Sequence, residues 1–86
     1  MSKIEIYTSP FCGFCYRAKS LLEKKGVDYE EIDVMMNPGA RKEMTERAGA
    51  TSVPQVFVDG KHIGDCEGIH TLDADGKLDA ILGVGA

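Results

Sequence analysis

The sequence predicts an α/β fold: a mixed four-stranded sheet flanked by helices, in the order β-α-β-α-β-β-α. Three observations carry this. Apolar residues alternate over Ile4-Glu5-Ile6-Tyr7-Thr8, then switch to helical spacing at Phe14, Ala18, Leu21 and Leu22. A second strand-then-helix pattern follows, so the first two strands, joined by a crossover helix, should be parallel with a right-handed connection. Finally, Asp59-Gly60 separates Val56-Phe57-Val58 from Lys61-His62-Ile63, a two-residue hairpin signal that makes the last two strands antiparallel.

The elements can be taken in order. The first strand, Ile4–Thr8, is rich in β-branched and aromatic residues. Ser9-Pro10 interrupts it, because proline has no N–H for the ladder and holds its predecessor extended. The first helix is predicted from Phe14 to Lys25, with Arg17, Lys19, Glu23 and Lys24 on its polar face and Gly26 ending it in left-handed conformation. Residues Val27 to Val34 are a strand candidate, with Tyr29, Ile32 and Val34 apolar among acids. Met35-Met36 reads as packing at the end of that strand. Asn37-Pro38 reads as an N-cap followed by proline at the first helical position. Ala40, Met44 and Ala48 then recur every fourth residue before Gly49 closes the helix. The third strand is Val53–Val58. Past the hairpin, Ile69 and Leu72, then Leu78, Ile81 and Leu82, predict one broken or two short helices with Gly76 between them.

Size and composition limit what this fold can do. The 86 residues leave room for one core, so residues 1–86 read as a single domain. With 43% hydrophobic residues and charges of both signs, the chain reads as an ordinary globule. A net charge of −4 without a basic stripe argues against a nucleic-acid partner. No apolar run approaches the ~20 residues of a membrane span. Met1-Ser2-Lys3 leads straight into the alternating strand with no secretory apolar region, so a cytoplasmic location is expected. Three cysteines, an odd and small number, suit a reversible thiol pair in a reducing compartment better than a disulfide-stapled domain.

The chemistry centres on Cys12-Gly13-Phe14-Cys15 at the first strand-to-helix junction, where a Cys-x-x-Cys reads as a redox dithiol. Exchange needs a thiolate, and an ordinary cysteine is only a few per cent ionised near neutrality. At the start of a helix the Cys12 sulfur meets unsatisfied N–H groups and the positive dipole end, with Lys19 or Arg17 as a neighbouring cation. The same environment makes Cys12 a good leaving group later in the cycle. Cys15, one turn in and facing the core, should stay protonated until needed. The competing reading is half of a structural zinc site, completed from Cys66, His62 and His70. The second half of that set lacks paired ligand spacing. His62 and His70 otherwise read as surface or hairpin residues.

With these residues in place the chain resembles the glutaredoxins of the thioredoxin-like superfamily. The resemblance spans nearly the whole sequence: the strand Ile4–Thr8, the Cys12–Cys15 motif, Thr51-Ser52-Val53-Pro54-Gln55-Val56-Phe57, and Gly64-Asp65-Cys66-Glu67 after the hairpin. It implies the thioredoxin-like (glutaredoxin) fold, with Cys12 as nucleophile and Cys15 as resolving thiol. It also implies a cis-proline at Pro54 that leaves the Val53 backbone free to pair with glutathione as a short added strand. Phe14, Arg41, Ser52, Val53, Pro54, Cys66 and Glu67 are the implied glutathione-binding residues. Arg41 would meet the glycine carboxylate; Cys66 N–H and the Glu67 carboxylate would meet the γ-glutamyl end. Cys66 also reads as a half-buried filler of the groove wall.

Three departures from the family pattern bear on function. Ser9 replaces a lysine common in the family, and Asp65 replaces the second glycine of a pair; both predict weaker glutathione binding. Gly13 replaces the proline of the commonest motif. The function implied is glutathione-dependent reduction of protein disulfides and of glutathionylated proteins, by a monomer. Two alternatives accompany it: a homodimer holding a [2Fe-2S] cluster through Cys12 and glutathione, and an electron donor reduced by thioredoxin reductase.

Overall fold

The computed structural model describes residues 3–84. Strands β1 (Ile4–Thr8), β2 (Glu30–Asp33), β3 (Gln55–Val58) and β4 (Lys61–Gly64) form one sheet in the order β2-β1-β3-β4. β1 and β2 are parallel; β1–β3 and β3–β4 are antiparallel. The helices are α1 (Gly13–Lys24), α2 (Ala40–Ala48), α3 (Cys66–Ala74) and α4 (Leu78–Leu82). The mixed sheet and its element order are those the sequence predicts, and the C-terminal segment resolves into two short helices.

Period-two alternation sorts the central strands between two apolar layers. Ile4 and Ile6 of β1 and Val56 and Val58 of β3 face Ala18, Leu21 and Leu22 of α1, Ile69 of α3, and Leu78 and Leu82 of α4. Tyr7 and Phe57 face the other way, onto Val34 and onto Ala40 and Met44 of α2. Burial on both faces leaves β3 with no exposed residue. β2 and β4 lie at the edges, β2 carrying three acids in its four residues. Charge at an edge discourages pairing with another chain. In the hairpin Asp59 and Gly60 have φ of 52° and 82°, the pair of positive values a type I′ turn needs.

Several boundaries differ from expectation. β2 starts at Glu30 rather than Val27, because Val27 and Tyr29 pack on the core from the connection instead of joining the ladder. β3 starts at Gln55 rather than Val53: the Val53–Pro54 peptide is cis, and both residues precede the ladder. Asn37 does not cap α2. Its N–H and Nδ2 both donate to the Asp33 carbonyl, and the cap position falls to Gly39 at φ 85°. Met35 and Met36 do not pack at the strand end; they sit in the turn after β2, 67% and 75% exposed.

Candidate active site

Cys12 is the N-cap of α1, with extended backbone angles (φ −106°, ψ 109°). Its sulfur accepts the Cys15 N–H at 3.2 Å. One helical donor left without an intrahelical acceptor is therefore aimed at Sγ. The Cys12 thiol also lies 3.9 Å from the Val53 carbonyl oxygen, which sets the nucleophile beside the cis-proline loop. Cys12 is half-buried, whereas Cys15 is 1% exposed. Burial, reinforced by the Cys12 contact, pushes the Cys15 thiol up to about 12. The backbone of Ser9 and the Lys19 ammonium pull it down more weakly. The two sulfurs of one motif thus occupy opposite environments.

Both expected cations have further surroundings of their own, Lys19 while remaining in the cleft beside the two cysteines. Lys19 Nζ pairs with Glu31 Oε2 at 3.0 Å, and the same oxygen accepts the Thr8 hydroxyl at 2.7 Å. The Thr8 hydroxyl, then Lys19, hold the Glu31 carboxyl below its usual range. Arg17 lies by Cys66, Glu67 and His70 in a depression of about 300 Å³. Burial pushes the Cys66 thiol up, and Arg17 draws it partly back.

Six of the seven expected glutathione-site residues come together. Phe14, Ser52, Val53, Pro54, Cys66 and Glu67, with Asp65, line a groove of about 230 Å³. Arg41 does not line it; its Nη1 donates to the Thr51 carbonyl at 2.6 Å, tying α2 to the start of the loop. Gln55 Nε2 holds the same loop through the Ser52 carbonyl at 3.0 Å, and His62 Nε2 is 2.6 Å from Gln55 Oε1. Asp65, read from sequence only as an added charge, also caps α3: Oδ1 accepts the Gly68 N–H at 2.8 Å. Cys66 is buried rather than half-buried, 5% exposed, because it packs into the core cluster while one edge lines the groove. His70 is half-buried and lines the depression beside Arg17, with its Nε2 enclosed and without a hydrogen-bond partner among the described residues.

Sequence reasoning missed Arg47. Its guanidinium lies 4.0 Å from the Phe57 ring centre, donates to Tyr7 Oη at 2.8 Å and to Glu5 Oε1 at 3.1 Å. Tyr7 Oη in turn donates to Glu43 Oε1 at 2.6 Å. The spacing of Glu43 and Arg47, four residues apart on α2, was the available signal. Among the described residues no three His, Cys, Asp or Glu side chains gather as a metal-ligand set.

A four-stranded β2-β1-β3-β4 sheet carrying a Cys-x-x-Cys at the N-terminus of its first helix, beside a cis-proline loop, defines the thioredoxin-like class of thiol–disulfide oxidoreductases. The glutaredoxin family model matches residues 4–63. The chain is 48% identical to Glutaredoxin 3 of Escherichia coli (strain K12) over 82 residues, covering 95% of this chain and 99% of that protein. It is 45% identical to the glutaredoxin of Pseudomonas aeruginosa over 82 residues, 95% of this chain and 98% of that one. Among solved structures, the buckwheat glutaredoxin–glutathione complex superposes with a TM-score of 0.88 at 29% identity, covering 95% of this chain and 77% of that one. Glutaredoxin from Brucella melitensis superposes with a TM-score of 0.82 at 42% identity, covering 98% and 94%. The chain belongs to the glutaredoxin family.

Proposed function

We propose that this protein is a glutathione-dependent disulfide oxidoreductase, acting as a monomer in the reducing cytoplasm on glutathionylated proteins and protein disulfides. The observation that carries the reading is the asymmetry of the two thiols: Cys12 is half-open and accepts a backbone N–H, while Cys15 is buried and held protonated. The Cys12 thiolate attacks the glutathione sulfur of a mixed disulfide, the protein thiolate leaves and takes a proton, and Cys12 carries the glutathionyl group. A second glutathione thiolate then attacks that sulfur, releasing oxidised glutathione and Cys12. With a protein disulfide, the Cys12 thiolate attacks one sulfur, the client S–S bond breaks, the first client thiolate leaves and takes a proton, and Cys12 carries the mixed disulfide. Cys15, once deprotonated, attacks Cys12 Sγ and expels the second client thiol, and glutathione reduces the resulting Cys12–Cys15 bond.

Glutathione is assigned to the groove lined by Phe14, Val53, Pro54, Cys66 and Glu67, its cysteine segment pairing with the Val53 backbone and its γ-glutamyl end at the start of α3. A buckwheat relative of the same fold forms a complex with glutathione, which supports glutathione as the ligand. Arg41 acts by fixing the loop through Thr51. The cluster-carrier alternative rested on Gly13, yet a side chain at that position would meet no atom within 4 Å, so the residue there reports no special packing; the buried Cys15 favours the dithiol cycle.

Two variants test the reading. Cys12→Ser abolishes deglutathionylation of a cysteine–glutathione mixed disulfide while leaving the urea midpoint unchanged or higher, because serine is a good N-cap. Cys15→Ser keeps deglutathionylation and loses reduction of protein disulfides. Turnover surviving in Cys12→Ser would remove the assigned nucleophile.

A further inference from the structure

Cys12 is flanked by two depressions that share no lining residue. One is the groove assigned to glutathione; the other, of about 420 Å³, lies between the β1–α1 loop and the end of β2 and is lined by Phe11, Tyr16, Lys19, Glu31 and Asp33 together with both active cysteines. We propose that this second cleft docks the protein half of the disulfide. It takes an apolar side chain next to the client cysteine against Phe11 and Tyr16, and a lysine or arginine at Asp33 and Glu31. The inference rests on thiol exchange at Cys12 as proposed above and adds the selection of the client.

Phe11 is the first observation behind it. The residue has φ of 61° and is fully exposed. A bulky side chain in the left-handed region is disfavoured, and glycine or asparagine would occupy it at less cost. An aromatic ring in open water gains nothing from burial either. Both penalties fall on the residue next to the nucleophile, and neither brings a contact in the folded monomer. A partner that covers the ring supplies the missing contact.

The second observation is where the other apolar surface lies. The large apolar side chains left exposed among the described residues are Phe11, Phe14, Tyr16, Met35 and Met36. Phe14 lines the glutathione groove, Phe11 and Tyr16 line the second cleft, and Met35 and Met36 follow Asp33 in the chain. Exposed apolar surface gathered in one place marks an interaction site. In deglutathionylation the client sulfur is one bond from the glutathione sulfur, so with glutathione in its groove the client chain must leave over the remaining side of Cys12.

The third observation is charge. Lys19 is already paired with Glu31. Asp33 accepts the N–H groups of Met35 and Met36 but pairs with no cation among the described residues, and the chain as a whole carries −4. The cleft is thus acidic by one unit, complementary to a cationic segment and repellent to an acidic one.

The test uses the full chain carrying Cys15→Ser, so that the mixed disulfide at Cys12 is not resolved. Two peptides, one with phenylalanine beside its cysteine and arginine two residues on, the other with serine and glutamate in those places, are offered together as disulfides and free thiols. In each exchange the Cys12 thiolate attacks a peptide sulfur and the departing peptide thiolate is protonated. The ratio of the two mixed disulfides at equilibrium is read by mass spectrometry and divided by the ratio for free cysteine with the same peptides. The expected ratio is about tenfold toward the phenylalanine–arginine peptide, falling to about threefold or less when Phe11→Asn, which keeps the backbone angle affordable, or Asp33→Asn, which keeps the turn acceptor, is added. A ratio near one, or one that neither substitution moves, overturns the inference. Glutathione takes no part in this exchange, so a preference persisting in a protein that fails to deglutathionylate would sink the proposed function and leave the docking site standing.

Discussion

Cys12 caps α1 and Cys15 lies in its first turn, and that difference underlies the separate roles proposed for them. Cys12 Sγ accepts a helical N–H beside the Val53 carbonyl; Cys15 is wrapped by the core. Asp65 has a similar double character. Its carboxylate caps α3 through Gly68 and also places a negative charge on the wall of the groove proposed for glutathione, itself an anion. Asp65→Asn keeps an oxygen for the cap and removes the charge. It should lower the KM for glutathione about two- to fivefold, as expected for one partly screened charge, with little change in thermal stability. Steady-state kinetics beside a melting curve checks both halves, and a KM that stays put would mean the Asp65 charge is not felt by the ligand.

The helices are held by devices that substitutions can separate from the chemistry. Gly13 is the first residue of α1, and a Cβ built there meets nothing within 4 Å. Its predecessor Cys12 already has the extended backbone that proline demands, and the first helical position tolerates the missing N–H. Gly13→Pro should therefore raise stability by about 0.5–1 kcal/mol through the unfolded chain, measured as a higher urea midpoint; a lower one would mean that the N–H of residue 13 is needed. α2 hangs on Arg47, whose guanidinium covers Phe57 and joins Glu5 to Tyr7. Arg47→Ala leaves Glu5 and Tyr7 Oη short of a donor in a half-buried setting and should cost about 2 kcal/mol. The rate of Cys12 alkylation should not follow, because the network lies on the α2 face of the sheet, away from Cys12.

Across the whole molecule, burial of ionisable groups sets the alkaline limit of the fold. Cys15 titrates at about 12 when folded against an ordinary 9.0, and Cys66 and Tyr7 are likewise raised, each chiefly by burial. The folded state keeps these protons where the unfolded chain has begun to lose them. The stability they contribute is therefore complete below pH 9.0 and is lost progressively toward pH 12. Urea midpoints should fall between about pH 9 and about pH 11, and Cys15→Ser should flatten that fall. An unchanged slope in the variant would show that Cys15 is not held protonated by the fold.

Much of this was legible in the chain. Period-two runs at Ile4–Thr8 and Val56–Val58, the four-residue stripe of Ala40, Met44 and Ala48, and Asp59-Gly60 determine the element order, because burial and backbone sterics act on near neighbours. Cys12-Gly13-Phe14-Cys15 with Val53-Pro54 and Cys66-Glu67 named the candidate site for the same reason: each motif is local. What only the tertiary structure decided is how distant segments share partners. Lys19 and Arg17, both drawn from sequence toward Cys12, also meet Glu31 and the surroundings of Cys66; Arg41 is taken by Thr51; Arg47 of α2 finds Glu5 of β1. A long flexible cation reaches any acceptor within several ångströms, so its partner depends on which strands and helices have been brought alongside. The strained, exposed Phe11 was equally hidden, since a backbone angle in a loop is imposed by the elements at its two ends.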